Sequence, residues 1–529
     1  MKTEVAPADH LRRAVAMLKL GRPRFKPGRP PRPGVSIPPA MKPIFACLFA
    51  AALAVPAADA ADMVPGPLRR ALDAPVFAGQ GIGLYAVRPD GSAIAAFGAE
   101  RPLVPASTMK VVTAACALDA LGPAFTFRTR FLADKRPGSD GVVRGAVYLV
   151  GGGDPMFRAE DLWTAVQELA RSGVKRIAGD LVLDDGRFEP PGRPATWPPA
   201  LSFPAPYDSP QSALALAWNA AELVVQGGPR PGAPARAETA PLPHLAKIEN
   251  GVTTAGRTAV TLAFSPAADG PATARLSGSV AKGATFREWI HLGDPTQAVG
   301  AALAELLPHA GIKLDGRIRR GAAPANAAAL VERRSFPLGT TLAPIMKHSS
   351  NFGAEMVART IAAESGAKPA TIAAGAARLA ACLDRWGAPR AGVSVLDGSG
   401  YSHGDRLTAR ALVAALLAAK RAKWGADFEA TLPTAAEDGS LRRRLRDMRG
   451  RVRAKTGTLD GVHALAGYID TPGGREVVFA VLVNKTRRGG PFLGHPDVDK
   501  LVRAIAAAAD GRSSGEEDET PAPRRRRRS

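Results

Sequence analysis

Cysteine is scarce in this chain, with three residues in 529, and aromatic residues make up only 5%. Three cysteines exclude a disulfide-dense scaffold, and no His or Cys pair has metal-ligand spacing, so neither a metal nor another cofactor is expected. Long apolar runs are also missing: Ile44–Val55 spans about 12 residues, whereas a membrane-crossing helix needs ~20. The low aromatic content accompanies abundant Ala, Gly, Pro and Arg and reads as compositional bias; 46% apolar residues still suffice for sizeable cores. Acidic residues are outnumbered 48 to 70, giving a net charge of +22. Residues 1–40 carry +7 of this and Gly511–Ser529 carries +2, which leaves about +13 for the rest. Such a surplus suits work beside an anionic polymer such as a cell wall, with at most peripheral membrane contact. The run Arg524–Arg528 has the composition of a nucleic-acid-binding tail, but residues 511–529 are read as a disordered, solvated tail, and no nucleic-acid partner is expected.

What is present begins with an export signal. Met41-Lys-Pro, the apolar Ile44–Val55 and the small-x-small site Ala58-Asp-Ala60 describe a secretory signal peptide at about 41–60, cleaved near Ala60. Residues 1–40 look unlike a signal-peptide start, so translation is expected to begin at Met41 and the product to be periplasmic. Beyond the signal lie Cys116 and Cys382, both in Ala/Leu-rich apolar segments and expected as buried thiols.

The pattern then divides. Pro65–Leu72 reads as a short helix, and Gly81–Val87 with Ala93–Phe97 reads as a hairpin around Pro89-Asp-Gly91. Residues 131–334 form short β-like runs among Gly/Pro-rich loops, with one helical stretch at Thr296–Leu307. Helical periodicity returns at Leu342–Glu364, Pro369–Trp386 and Thr408–Lys420. Three strands (Arg453–Leu459, Ala464–Asp470, Val477–Asn484) and a helix at Asp497–Ala508 follow. The expected fold is α+β, with residues 61–130 and 335–510 forming one domain. A β-rich accessory insertion of residues 131–334 interrupts it.

Three short motifs carry the chemistry: Ser107-Thr-Met-Lys110, Ser349-Ser-Asn351 and Lys455-Thr-Gly457. Residues three apart share a helix face, so Lys110 can reach Ser107. A lysine at the mouth of a buried helix loses proton affinity and can activate a serine. One Ser-x-x-Lys alone fits an ordinary surface pair. All three in this order form the signature of serine penicillin-binding proteins and class A β-lactamases.

The 239 positions from Lys110 to Ser349 exceed the class A β-lactamase spacing. The chain resembles the low-molecular-mass class C penicillin-binding proteins, the D-alanyl-D-alanine carboxypeptidases/endopeptidases. Tyr148–Pro155, Gly179–Asp184, Asp397–Tyr401, Glu437–Leu441 and Val452–Leu459 contribute to that likeness. The resemblance implies a β-lactamase/transpeptidase-like domain, an antiparallel sheet flanked by helices, acting on peptidoglycan stem peptides through a Ser107 acyl-enzyme. It implies acylation by β-lactams and allows a homodimer. Its catalytic set would be Ser107, Lys110, Ser349, Asn351 and Lys455. Thr456, Gly457 and Thr458 would bind the substrate carboxylate, and the backbone N–H groups of Ser107 and Thr458 would hold the oxyanion. Asp397-Gly-Ser-Gly400 would be a tight loop near the cleft rim. Ser350 stands where Asp is common, facing away from the reacting centre. Alternatives are an idle wall-binding or β-lactam-sensing protein on the same fold, or a β-lactamase or esterase.

Overall fold

The first and last strands of the chain meet in one sheet. The structure is a computed structural model that describes residues 62–511 except 202, 266, 268–269 and 487–492. The segment expected as a signal peptide and nearly all of the charged tail therefore lie outside the described residues. In the scaffold, strands β1 (Gly81–Val87), β2 (Ala93–Phe97), β3 (Val452–Leu459), β4 (Val462–Asp470) and β5 (Glu476–Asn484) pair antiparallel in the order β3-β4-β5-β1-β2. Gly81 pairs with Asn484 and Val87 with Val478. Every residue of β1 is buried, as is every residue of β5 but its two ends.

Such continuously apolar strands need cover on both faces. Helices α1 (Gly66–Leu72) and α8 (His495–Ala509) pack Leu68, Leu501 and Ile505 against Leu84, Phe479 and Val481. The other face carries α2 (Met109–Leu121), α3 (Leu338–Lys347), α4 (Asn351–Glu364), α5 (Ile372–Arg385), α6 (Ala409–Arg421) and the short α7 (Gly425–Thr431). Ten successive residues of α2, Met109–Leu118, are buried, because the helix is apolar on all sides and surrounded by others.

Two expectations are corrected here. Leu342–Glu364 is not one helix: α3 ends at Lys347 and α4 starts at Asn351, with Ser349 between them at φ +58. Ser350 caps α4, its Oγ accepting from Gly353 N at 3.0 Å. Cys116 and Cys382 are buried, yet they form a disulfide rather than two thiols. Helices α2 and α5 lie side by side with the two Cα atoms 5.9 Å apart, a proximity that no local pattern announces across 266 positions.

The inserted residues build sheets of their own. Ile318–Arg320, Leu181–Asp184, Val147–Val150, Arg128–Ala133 and Ala328–Arg334 form a five-stranded sheet in that order. It packs on two helices, Ala159–Arg171 and Pro295–His309, where the sequence suggested only the second. The first is nonetheless amphipathic, burying Leu162, Ala165, Val166 and Leu169 at helical spacing. Two three-stranded sheets, with Leu223, Val225, Leu276 and Ile290 between them, form a further lobe. The strand leaving the scaffold and the strand returning to it are neighbours: Arg128 pairs with Arg334, and Ser335 Oγ accepts from Phe127 N at 3.0 Å.

Candidate active site

The chain turns sharply before α2, and Ser107 sits in that turn. Ala106 adopts φ +47, a left-handed conformation costing an L-residue roughly 1–3 kcal/mol. Thr108 Oγ1 donates to Pro105 O at 2.6 Å and steadies the turn. Ser107 is left half-buried at the mouth of the helix, one turn from Lys110.

Lys110 is fully buried, and its ammonium has three acceptors: Ser107 Oγ at 2.9 Å, Asn351 Oδ1 at 2.7 Å and Ser399 O at 2.7 Å. Burial lowers its pKa to about 7, while the charges of Asp397, Glu355 and Asp405 push the other way. Lys110 is thus a base that is half-deprotonated near neutrality and already hydrogen-bonded to a hydroxyl.

A second lysine–serine pair faces it. Lys455, from the middle of β3, donates to Ser349 Oγ at 2.9 Å and to Thr456 O at 2.8 Å. Burial and then the charge of Lys110 hold it well below the ordinary lysine range. The break between α3 and α4 aims Ser349 at it. Asn351 opens α4 and bridges elements, its Oδ1 on Lys110 and its Nδ2 donating to Tyr207 O of the insert at 3.0 Å. Ser107, Lys110, Ser349, Asn351 and Lys455 therefore converge from α2, α4 and β3 on one cleft.

The remaining predicted residues line the β3 wall. A Cβ on Gly457 would stand 2.7 Å from Pro105 O and 3.2 Å from Ala106 Cβ, so only glycine lets β3 lie this close to the Ser107 turn. Thr456 Oγ1 donates to Ser440 Oγ at 2.7 Å, which brings the Glu437–Leu441 segment to the site. Thr458 is exposed on an edge strand and shares a 2.9 Å hydrogen bond with His495 Nε2. Beside Ser349 and Asn351 a cavity of about 530 Å³ opens, walled by Tyr207, Trp218 and Trp289 of the insert.

Sequence reasoning did not anticipate several of these partners. His495 and the Tyr207 carbonyl lack any local signal, whereas Ser440 lies in the Glu437–Leu441 segment that the sequence had singled out without a role. The Asp397–Gly400 loop is corrected in place: Asp397 and Ser399 are fully buried beneath Lys110 and not at a rim. His348 and His403 are exposed, and His463 stacks edge-on with His495 at 5.1 Å. Among the described residues, no group of three or more His, Cys, Asp or Glu is placed to hold a metal ion.

Residues 68–501 match the D-Ala-D-Ala carboxypeptidase 3 (S13) family. The chain belongs to that family. It is a serine peptidase of the low-molecular-mass class C penicillin-binding proteins. Among S13-like relatives, the D-alanyl-D-alanine carboxypeptidase of Actinomadura sp. (strain R39) is 35% identical over 400 residues, covering 72% of this chain and 73% of that protein. The D-alanyl-D-alanine carboxypeptidase DacB of Haemophilus influenzae is 27% identical over 72% of this chain and 80% of its own length. The crystal structure of penicillin binding protein 4 (dacB) from Haemophilus influenzae shares the fold. It has a TM-score of 0.71 at 23% identity and covers 84% of this chain and 99% of that one.

Proposed function

We propose that this S13 member is an exported D-Ala-D-Ala carboxypeptidase that also acts as an endopeptidase on peptidoglycan stem peptides. The observation that carries the reading is the 2.9 Å contact from Lys110 Nζ to Ser107 Oγ at a fully buried amine. Lys110 takes the Ser107 proton as Oγ attacks the penultimate D-Ala carbonyl. The backbone N–H groups of Ser107 and Thr458 receive the oxyanion. The C–N bond then breaks, and Ser349 with Lys455 delivers a proton to the departing amine. Water hydrolyses the resulting ester and regenerates Ser107. Thr456, Thr458 and Lys455 hold the terminal carboxylate. A β-lactam presents a strained amide to the same serine and acylates it. The Actinomadura relative, a D-alanyl-D-alanine carboxypeptidase by name, supports the substrate class.

Export is part of this reading. The Cys116–Cys382 disulfide suits an oxidising compartment, and the sequence of residues 41–60 suits a cleaved signal. Fluorescent penicillin tests the acyl-enzyme: purified protein should be labelled and Ser107→Ala should not. Absence of labelling in the unmutated protein would refute it. Release of D-Ala from a pentapeptide, set against cleavage of crosslinked dimers, apportions the two activities. Amino-terminal sequencing of protein from the periplasmic fraction tests export and the cut near Ala60.

A further inference from the structure

Behind Lys110 lies a cluster of buried acids that the reaction does not use directly. Asp397 is 0% exposed and accepts five hydrogen bonds, from four N–H groups and a hydroxyl. Its Oδ1 accepts from Ser399 N at 3.0 Å, Gly400 N at 2.6 Å and Ser399 Oγ at 3.4 Å. Its Oδ2 accepts from Ser402 N at 2.9 Å and from Trp197 Nε1 at 2.8 Å. The loop so gathered is the one whose Ser399 carbonyl meets Lys110 Nζ. Trp197 belongs to the insert, is 6% exposed and packs edge-on against Tyr401 at 4.9 Å.

We propose that Asp397 is a positioning residue for the base Lys110: it holds the Ser399 carbonyl against the amine and stands behind it as a fixed negative charge. Trp197 extends that hold to the insert. This rests on reading Lys110 as the general base.

The charged groups facing Lys110 are Lys455 from β3, Glu355 and beyond it Arg359 from α4, and Asp397 and Asp405 from the loop. Burial, then the Asp397 charge, raises Glu355 to about 7. The same two causes raise Asp405 to about 9, and its Oδ2 is buried without a hydrogen-bond acceptor or donor of its own among the described residues. Of the acids opposing the burial of Lys110, Asp397 acts most strongly. The charge raises the proton affinity of the base back toward neutrality, and the carbonyl fixes where the amine points.

The test measures acylation of the full mature protein by fluorescent penicillin between pH 5 and 9. Asp397→Asn removes the charge, so Lys110 gives up its proton more easily. The acid limb should move to lower pH by roughly half a unit or more, with a slower plateau. Asp397→Glu keeps the charge and should keep the limb of the unmutated protein, even with a slower plateau. An unmoved limb in Asp397→Asn, or an equal shift in both variants, overturns the proposal. Trp197→Phe keeps a ring in place and removes the N–H from which Asp397 accepts. It should lower the first-order acylation constant severalfold and leave the noncovalent binding constant alone. Unchanged acylation there overturns the link to the insert, whether or not Asp397→Asn folds. Abolished labelling in Ser107→Ala tests the acyl-enzyme separately. A pH-independent acylation rate in the unmutated protein would refute Lys110 as the base and the proposal with it, whereas an acid limb that Asp397→Asn leaves unmoved overturns the proposal alone.

Discussion

The disulfide between Cys116 and Cys382 gives a prediction that reaches both stability and location. It joins α2, which has Ser107 at its mouth, to α5, and closes a loop of 266 residues. In a chain-entropy account, removing that constraint frees the unfolded chain by about 5.5 kcal/mol. Native disulfides typically deliver less, about 2–5 kcal/mol. The double variant Cys116→Ala/Cys382→Ala should therefore melt roughly 2–5 °C below the unmutated protein in calorimetry. Reductant should lower the melting point of the unmutated protein by a similar amount and leave that of the variant alone. Thiol titration of the unreduced, denatured mature protein should find neither cysteine free. Two free thiols per chain, or a melting point indifferent to reductant, would refute the reasoning and remove one support for export.

Other expectations concern the cleft and its walls. Acylation by penicillin should show an acid limb near pH 7, since the neutral form of Lys110 is required and its pKa is about 7. One unit below that value about a tenth of the amine is free, so the rate should fall roughly tenfold per unit; stopped-flow labelling across pH checks this. Gly457→Ala would force β3 away from Pro105 O and the Ser107 turn and should cost tenfold or more in acylation rate, read by labelling, with little loss in melting temperature. Asp499→Ala should destabilise the fold by about 3–5 kcal/mol in urea unfolding, because it strands the largely buried Arg444 guanidinium that its carboxylate pairs at 2.6 Å.

The five residues that converge on the cleft were legible because each motif is short, local and chemically demanding. Lys110 follows Ser107 by three residues, and Lys455 precedes a glycine that its strand needs for close approach. The α+β scaffold was legible for a similar reason: β1 and β5 are apolar along their length, and α2 is apolar all round. Partners contributed by distant segments were not legible. Asp397 looks like any loop aspartate until Trp197 arrives from 200 positions away. The break at Ser349 was hidden because Leu342–Glu364 keeps helical periodicity on both sides of it. Cys116 and Cys382 look like buried thiols because each segment alone is merely apolar; only the packing of α2 on α5 joins them.

The pairing of β1 with β5 also governs when the molecule becomes itself. A ribosome releases Gly81 long before Asn484, and β1 has no inner neighbour until that late strand appears. Until then helix α2 lacks part of the sheet it packs on, and β3, which carries Lys455, joins that sheet only through β4 and the late β5. Closing so distant a contact is slow. A hydrolase whose first and last strands must meet is inert at every intermediate length of its own synthesis.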